Sequence, residues 1–250
     1  MPVRQDTLID EELRERLRAA RSVFVLTGAG VSAESGVPTF RGGGGAAVWK
    51  GMPFDVISSA SMVRSNLHEV WEWFDYRRGV LEQCRPNPAH AALAEWRKRF
   101  ERFTLATQNI DGLHAEAGSR DVLELHGNIW RARCSECGAR EDLRRKPSGV
   151  RPPSCDECGC HMRPDVVLFG ETLPVDVWDE AADAASASDV CFVVGTSAIV
   201  YPAAGLPLAA KRAGAFLVEV NPEPTPLSDV CDLILRGPAG EVLPMIAVSF

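Results

Sequence analysis

The stretch GAGVSAESGVPTFR, residues 28–41, decides how this chain folds. It follows the apolar run at residues 23–27, which is too short for a helix and rich enough in β-branched residues for a buried parallel strand. Glycines directly after such a strand let the backbone turn sharply and approach a ligand closely. A helix that begins near Ser32 would point its free N–H groups at that turn, where they favour a pyrophosphate. The stretch therefore predicts a nucleotide-binding turn.

The glycine spacing is informative only together with the residues after it. Gly28, Gly30 and Ala33 fit the G-x-G-x-x-G/A pattern of dinucleotide-binding folds, although glycine triplets also form plain turns. The pattern continues through Gly36 and a proline to Arg41. A helix that is broken so early and followed by an arginine indicates a loop folded over a ligand.

Composition places the chain among ordinary globular proteins. Its 250 residues are 46% hydrophobic and 24% charged, enough for one sizeable core or a large domain with a small insertion. The net charge of −7 disfavours direct nucleic-acid binding, which needs a basic excess, but it allows a basic peptide substrate.

The first residues carry no targeting pattern. Residues 1–10 are polar and mixed, and residues 10–21 predict an amphipathic helix. No apolar run approaches the roughly 20 residues that span a bilayer. We therefore expect a cytoplasmic protein that does not bind membranes, and in that compartment the eight cysteines are not expected to form disulfides.

Strand and helix patterns alternate along the chain. Further apolar runs with the length of buried strands lie at residues 103–107, 122–125, 190–195, 216–220 and 233–235. Helical patterns lie at residues 88–100, 177–187 and 203–213. This alternation predicts an α/β fold, a Rossmann-like parallel sheet with helices on both faces. Its ligand edge, at the carboxyl ends of the strands, would carry Gly28, Gln108, Asn109, His126, residues 195–197 and Asn221.

Two segments interrupt the alternation. Residues 43–83 begin within a run of four glycines, residues 42–45, and then become helical and aromatic. Residues 131–164 are short, polar and contain five of the eight cysteines. We expect both to form a smaller domain beside a Rossmann-like domain made of residues 1–42, 84–130 and 165–250.

Four cysteines have the spacing of a structural zinc site. Two C-x2-C pairs, each followed by glycine, lie seventeen residues apart: Cys134, Cys137, Cys155 and Cys158. Four thiolates suit tetrahedral Zn2+ and leave no open position for water, which disfavours a zinc hydrolase. Cys160 and His161 are further possible ligands, so a swap with Cys158 stays open. Three cysteines outside this segment are expected to be ordinary buried thiols: Cys84, Cys191 and Cys231.

Two polar segments are candidates for catalysis. Residues 108–111, QNID, follow a strand and offer amides and a carboxylate that suit a ribose or a nicotinamide amide. The alternative is a loop with an Asx-turn. His126, which Gly127 follows, could accept a proton near neutral pH, although a lone histidine is often structural.

These motifs together resemble one family. Residues 28–41, 108–111, 126–127, 164–171, 195–197 and 221–223 and the four paired cysteines are similar to the signatures of the sirtuins, the Sir2 family of NAD-dependent protein deacylases, in its bacterial type. The resemblance implies that NAD is consumed as a co-substrate and that acyl-lysine proteins or peptides are the partners. The products would be free lysine, nicotinamide and O-acyl-ADP-ribose.

The resemblance also implies a role for each matching residue. His126 would be the general base, with Asn109 and Asp111 beside the nicotinamide ribose. The four paired cysteines would hold one structural zinc ion per chain. The residues expected around NAD are Gly28, Ala29, Gly30, Glu34, Ser35, Thr39, Phe40, Arg41, Gln108, Asn109, Ile110, Asp111, Gly195, Thr196, Ser197, Asn221, Pro222, Glu223 and Ala239. The residues expected around the acyl-lysine are Phe74, Arg77, Val167 and Phe169.

One position departs from the pattern of a subgroup. Relatives that remove succinyl or malonyl groups carry Tyr-x-x-Arg, where this chain has Phe74 and Arg77. Tyr76 is expected to face elsewhere on the helix. We therefore expect deacetylase activity with weak desuccinylase and demalonylase activity, unless Arg77 only pairs with a surface acid.

Three other functions share parts of this pattern. Mono-ADP-ribosyl transfer would use the same NAD cleavage with another acceptor. A non-catalytic NAD sensor would not need His126, Asn109 and Asp111. A dehydrogenase is disfavoured because no proton donor with a hydride-acceptor pocket is evident.

Overall fold

The computed structural model describes residues 11–38, 48–144 and 152–247, and its strands and helices are numbered in chain order. Its main sheet has six strands in the spatial order β11-β10-β9-β1-β4-β5, and all neighbours are parallel. The strands are β1 Ser22–Thr27, β4 Arg102–Thr107, β5 Leu123–Glu124, β9 Val190–Val194, β10 Phe216–Val220 and β11 Leu233–Leu235. The predicted α/β fold with a parallel sheet is confirmed.

The strand order explains where a ligand can enter. Counted along the chain, the six strands of the sheet have the order 3-2-1-4-5-6 of dinucleotide-binding folds. The direction of winding reverses between β1 and β9, and in open α/β sheets a ligand crevice lies outside the carboxyl ends of the strands at such a reversal. The glycine-rich turn lies in this crevice because it directly follows β1.

Both faces of the sheet are buried, which is why its strands are continuous apolar runs. Val23 and Val25 of β1 point into one cluster, and Phe24 and Leu26 point into another. The first face packs against α1 Glu11–Ala19, α5 Pro88–Trp96 and α9 Ala239–Ala247, and the second against α7 Val175–Ser186 and α8 Gly205–Ala213. No helix among the described residues is long and apolar enough to span a membrane.

Several predicted helices are shorter or begin elsewhere in the structure. The helix predicted at residues 88–100 ends at Trp96, and the one predicted at 10–21 covers Glu11–Ala19 in the described part. The start of α5 is fixed by Asn87, whose side chain accepts a hydrogen bond from the backbone N–H of Ala89. The segment after β1 is a 3-10 helix, Ala29–Ser35, which Gly36 ends with a φ of 82°.

The two interruptions of the sheet form its neighbouring layer. The first contains β2 Val48–Trp49, β3 Met52–Pro53, α2 Phe54–Ile57, α3 Ala60–Ser65 and α4 Leu67–Leu81. The second is an antiparallel sheet of β6 Gly127–Cys134, β7 Arg140–Asp142 and β8 Met162–Val166, and a short helix, α6 Leu113–Glu116, precedes it. The expected domain limits at 130/131 and 164/165 fall within β6 and β8, so the division into domains stays a prediction.

Candidate active site and metal centre

Glycines after β1 and β9 pack the two loops of the crevice directly against each other. The N–H of Gly28 donates to the carbonyl of Val194 at 3.0 Å, and the N–H of Gly30 donates to that of Gly195 at 2.7 Å. A Cβ atom on Gly30 would lie 2.7 Å from Cα of Gly195, closer than real side chains come. Glycine at these positions is therefore what lets the two backbones approach so closely.

The 3-10 helix is tied to neighbouring helices by its polar side chains. A carboxylate oxygen of Glu34 accepts a hydrogen bond from the N–H of Gly240 at 2.7 Å, next to Ala239 at the start of α9. The hydroxyl of Ser35 accepts one from the side-chain amide of Asn87 at 3.0 Å. These contacts fix the segment at the edge of the sheet. The expected cofactor contacts of Thr39, Phe40 and Arg41 lie outside the described residues.

Ser32 is the centre of a buried hydrogen-bond network that joins three elements. Its hydroxyl donates to Oδ2 of Asp111 at 2.8 Å. It accepts from the side-chain amide of Asn109 at 3.1 Å, and Nε2 of His90 lies 3.3 Å away. Asn109 also donates to the carbonyl of Gly28 at 3.1 Å, so the network reaches the glycine turn.

The direction of each proton in this network follows from one backbone bond. The N–H of Asn87 donates to Nδ1 of His90, so Nδ1 carries no proton. Burial lowers the pKa of His90 to about 4, so the ring is neutral at pH 7 and its proton sits on Nε2. Nε2–H then donates to Ser32, whose own hydroxyl proton points to Asp111. Asp111 therefore acts as an acceptor.

Asp111 and Arg77 influence each other across the smaller layer. Burial raises the pKa of Asp111, and hydrogen bonds from the N–H of Leu113 and from Ser32, with the charge of Arg77, act in the opposite direction. Burial also lowers the pKa of Arg77 to about 10, against which the carboxylate of Asp111 acts. Arg77 thus stays cationic at pH 7. The carboxylate that favours its charged form belongs to Asp111, which is buried near the predicted site.

His126 lies between β5 and β6 and presents one free ring nitrogen. Its Nδ1 is 2.8 Å from the carbonyl of Gln108, which can only accept, so Nδ1 carries the proton. Nε2 is then the unprotonated nitrogen that can take a proton. Burial lowers the pKa of His126, and the hydrogen bond to Gln108 acts in the other direction. A half-buried neutral imidazole in this tautomer has the properties of a general base.

Side chains after four strands connect the predicted residues into one cluster. The side-chain amide of Gln108 donates to Oγ1 of Thr196 at 3.0 Å, and that of Asn221 donates to the carbonyl of Thr196 at 2.9 Å. The carbonyl of Glu223 accepts a hydrogen bond from Arg236 at 3.0 Å, which holds the loop after β10. The structure therefore brings the ends of β1, β4, β9 and β10 together, as the parallel sheet predicts.

The residues expected around the acyl group differ in exposure. Phe74 is fully buried within α4, whereas Tyr76 is 55% exposed and stacks on Trp73 with ring centroids 6.0 Å apart. Tyr76 therefore faces away from Phe74, as expected from their spacing. Phe169 is exposed and contacts the ring of Phe54, with centroids 5.5 Å apart.

Sequence reasoning missed the second layer of polar residues beneath the site. Thr27 lies 2.8 Å from Thr107 through their hydroxyls and 3.0 Å from Nε2 of His114, and the hydroxyl of Thr107 accepts the N–H of Asn109. The Asn-Pro-x-His pattern that ends at His90 was a usable signal, because it combines a helix cap with a histidine.

The four paired cysteines lie together, as their zinc-site spacing predicts. Their sulfur atoms all lie within 4.8 Å of one another, with Cys134 and Cys158 at 3.4 Å and Cys137 and Cys155 at 3.6 Å. Tetrahedral zinc with Zn–S bonds of about 2.3 Å needs sulfurs about 3.8 Å apart, so the set fits the ion. Among the described residues Cys160 is not in the group, which resolves the possible swap with Cys158.

Local structure prepares the sulfurs for a metal ion. Gly138 and Gly159, which follow the two pairs, both have a φ of 76°, so each pair forms a tight turn. The backbone N–H groups of Cys137 and Glu136 lower the pKa of the Cys134 thiol to about 6, which favours the thiolate that binds metals.

The remaining cysteines have no such arrangement. Cys84 and Cys191 are buried, as expected, but Cys231 is only partly buried and so corrects that prediction. Burial raises the pKa of the Cys231 thiol to about 12, so it is inert at neutral pH.

Comparisons with known proteins agree on one family. A family model described as "Sir2 family" matches residues 28–202. A protein of Pyrobaculum aerophilum, named NAD-dependent protein deacylase 2, is 48% identical over 230 residues, which cover 92% of this chain and 91% of the relative.

Solved structures give the same result. The crystal structure of a Sir2 homolog–NAD complex superposes with a TM-score of 0.89 at 41% identity and covers 96% of this chain and 93% of its own. A structure described as Sir2 bound to acetylated peptide has a TM-score of 0.83 at 33% identity, covering 94% of this chain and 96% of its own.

Proposed function

The chain belongs to the Sir2 family of NAD-dependent protein deacylases, and we propose that it transfers acyl groups from lysine side chains to ADP-ribose. The observation that carries the proposal is the connected cluster at the crevice. It brings a carboxylate, Asp111, and an amide, Asn109, to the glycine turn, and the ring of His126 bonds the carbonyl of the adjoining residue, Gln108. Relatives that hold NAD or an acetylated peptide share the fold over almost the whole chain.

The crevice fits NAD by the chemistry of its donors. The turn after β1 lies where dinucleotide-binding sheets hold the pyrophosphate, and Gln108, Asn109 and Asp111 offer polar groups for the nicotinamide ribose. The residues after β9 and β10, together with Ala239, would line the adenosine half. When bound, NAD supplies an electrophilic ribose carbon, C1′, as nicotinamide leaves.

Asp111 and Asn109 would stabilise charge in this reaction. Positive charge develops on the ribose as its glycosidic bond breaks, and a fixed carboxylate in a water-poor site stabilises that charge strongly. Ser32 holds the carboxylate of Asp111 and the amide of Asn109 in fixed positions through its hydroxyl. The amide oxygen of the acyl-lysine is a weak nucleophile, so this preorganisation is what the step needs.

His126 would act as the general base. Its Nε2 would accept a proton from a ribose hydroxyl, and the resulting oxygen would attack the activated acyl carbon. The lysine nitrogen would then leave with a proton, and one water molecule would add to complete O-acyl-ADP-ribose. The carbonyl of Gln108 stabilises the cationic ring that forms, because Nδ1–H already donates to it.

The acyl-lysine would enter between the sheet and the smaller layer, beside Val167 and Phe169. The N–H of Val167 donates to the carbonyl of His126 at 2.9 Å, which places this segment next to the proposed base. The four paired cysteines would hold one zinc ion whose role is structural, because four sulfur ligands leave no position for water.

Arg77 and Phe74 would set the acyl preference. A cationic Arg77 suits the carboxylate of a succinyl or malonyl group. Phe74 lacks the phenol hydroxyl that would give a second hydrogen bond. We therefore infer efficient deacetylation with weak desuccinylation and demalonylation.

A panel of acyl-lysine peptides tests this proposal. The protein is incubated with NAD and acetyl-, malonyl-, succinyl- or longer acyl-lysine peptides, and nicotinamide release and peptide mass are measured. We expect nicotinamide release with loss of the acyl group, fastest for acetyl-lysine. A mass increase on a target protein, with acyl groups retained, would instead support mono-ADP-ribosyl transfer. The cytoplasmic location stays a prediction.

A further inference from the structure

We propose that Arg163 and Glu171 are positioning residues for the peptide substrate, because their ion pair fixes the shape of the segment at residues 166–169. The inference rests on the proposed function, which places this segment beside the acyl-lysine. Neither residue is expected to touch the reacting atoms. They would act through the backbone between them.

Arg163 is buried in β8 and directs its guanidinium at this segment. It is 6% exposed, and its Nη2 donates to the carbonyl of Val166 at 3.0 Å. The same guanidinium forms a two-pronged contact with Glu171, Nη1 to Oε1 and Nη2 to Oε2, the second at 2.9 Å. Such a planar fork fixes both partners in one geometry.

Glu171 lies just beyond the other end of this segment and also bonds its backbone. Its Oε2 accepts the N–H of Leu168 at 2.9 Å, and its own N–H donates to the carbonyl of Leu168 at 3.0 Å. Between them Gly170 has a φ of 85°, so the chain turns back on itself. The ion pair therefore closes a small ring of chain around this turn.

Backbone groups along residues 166–169 bond two different sets of partners in turn. The N–H of Val167 donates to the carbonyl of His126, and the N–H and carbonyl of Phe169 bond Ser58 and Ala60. The carbonyl of Val166 and the N–H of Leu168 instead bond Arg163 and Glu171. The partners of Val167 and Phe169 belong to the proposed base and to the helical layer. The ion pair supplies the second set, and only that set can be removed by changing side chains.

Charge makes the pair strong in this setting. Burial opposes ionisation of Glu171, yet hydrogen bonds from Arg163 and Leu168 hold its pKa below the ordinary value. Removal of Glu171 would leave the buried Arg163 without its counter-ion, and removal of Arg163 would leave Glu171 only the longer contact with Arg133 at 3.9 Å. The segment would then relax.

Neutral variants of each partner and one matched control test the proposal. Glu171→Gln removes the ion pair at the same side-chain size, and Arg163→Gln removes it with a shorter side chain. Arg163→Lys keeps the charge but not the fork. Arg140→Gln is the control, because Arg140 lies in the same small sheet and pairs at 3.1 Å with Asp165, which is outside the segment at residues 166–169.

The kinetic experiment separates peptide from NAD. With zinc-loaded proteins, we expect the KM for an acetyl-lysine peptide to rise about tenfold in both glutamine variants, since misplaced binding groups cost rate and affinity. The KM for NAD should stay within about twofold, Arg163→Lys should recover part of the loss, and Arg140→Gln should match the unchanged protein. Equal increases in both KM values, or no increase in either, would overturn the proposal.

A second readout does not depend on activity. Hydrogen exchange of the amides of residues 166–169 should speed up in both glutamine variants and not in Arg140→Gln, while the amides of β1 keep their protection. Unchanged exchange at residues 166–169 would reject the proposal even if activity fell. If the unchanged protein were inactive on every acyl peptide, the proposed function would fail, yet faster exchange would still show the ion pair holding the segment.

Discussion

The edge of the parallel sheet and the segment beside it are held in different ways. At the sheet edge, Ser32, His90 and Asn109 form a buried network of mostly neutral hydrogen bonds that ends on one carboxylate, Asp111. The segment at residues 166–169 is held by backbone bonds and by the ion pair of Arg163 and Glu171, next to the small sheet that carries the four paired cysteines. The sheet edge, where NAD would bind, is built by hydrophobic burial and backbone packing, and the peptide side by charges and a metal.

This difference makes each region sensitive to a different perturbation. The small sheet has little apolar core of its own, with Trp71, Ala132, Leu143 and Met162 buried around two of the cysteines. If these cysteines hold zinc as proposed, we expect a region of that size to depend on the ion for stability. The parallel sheet buries two large apolar clusters and does not depend on an ion in this way.

Metal removal should give the largest separation between the two regions. After chelation we expect the four thiolates to move apart and the small sheet to unfold, with loss of all peptide turnover. Binding of ADP-ribose by the sheet edge should persist, as should most helical signal in circular dichroism. Loss of ADP-ribose binding together with the metal would show that the two regions are not separate.

Replacement of the proposed base should affect the reaction step and not the fold. His126→Gln removes the nitrogen that takes the proton, and we expect kcat for deacetylation to fall about a thousandfold. The KM for the peptide should change little. Steady-state kinetics with acetyl-lysine peptide measure this, with His68→Gln, an exposed position on α4, as control. A fall of only a few fold would remove His126 from the mechanism.

Acid should destabilise the sheet edge through its buried histidines. Burial lowers the pKa of His90 to about 4 and that of His114 to about 3, and both return to about 6.5 on unfolding. The unfolded chain therefore binds more protons below pH 6.5. Stability is full above that pH and falls by about 1.4 kcal/mol per pH unit for each histidine as the pH drops toward the folded values.

Urea unfolding at several pH values between 7 and 5 measures this slope. His114→Gln should reduce this slope by less than half, because His90 and His126, whose pKa values burial also lowers, still titrate. His68→Gln should leave it unchanged, since His68 lies on the surface. An equal slope in all three proteins would assign the acid sensitivity to other groups.

A single hydroxyl should shift acyl preference by the smallest amount. Phe74→Tyr would add a hydrogen bond to the carboxylate of a succinyl group, worth about 1.5–3 kcal/mol, or tenfold to a hundredfold. We expect kcat/KM for succinyl-lysine peptide, relative to acetyl-lysine peptide, to rise by at least about tenfold. Tyr76→Phe, at an exposed position, should leave the ratio unchanged. An unchanged ratio in Phe74→Tyr would take Arg77 out of the acyl site.

Features encoded locally could be predicted from the sequence, and assembled ones could not. The glycine turn, the four cysteines and the loop at residues 108–111 each carry their chemistry within a short window. The contacts of Ser32 with His90 and Asp111 join residues 58 and 79 positions apart, and only the folded sheet brings these together. No pattern within a short stretch of sequence shows that residues so far apart in the chain are in contact.

Strand β8 shows why the peptide side was harder to predict. All five of its residues, Met162–Val166, are buried although Arg163 and Asp165 are charged. Hydrophobic periodicity assigns charged residues to the surface, so it gives no strand signal here. Their burial becomes possible only through ion pairs with Glu171 and with Arg131, which lie elsewhere in the chain.

The most direct test of the account is a stoichiometry measured in one reaction mixture. Zinc-loaded protein is incubated with NAD and an acetyl-lysine peptide, and nicotinamide, deacetylated peptide and O-acetyl-ADP-ribose are quantified together over time. The account predicts that the three products accumulate in equal amounts and that omission of either NAD or peptide abolishes all three. Free acetate formed without NAD, or nicotinamide formed with the peptide still acetylated, would contradict it.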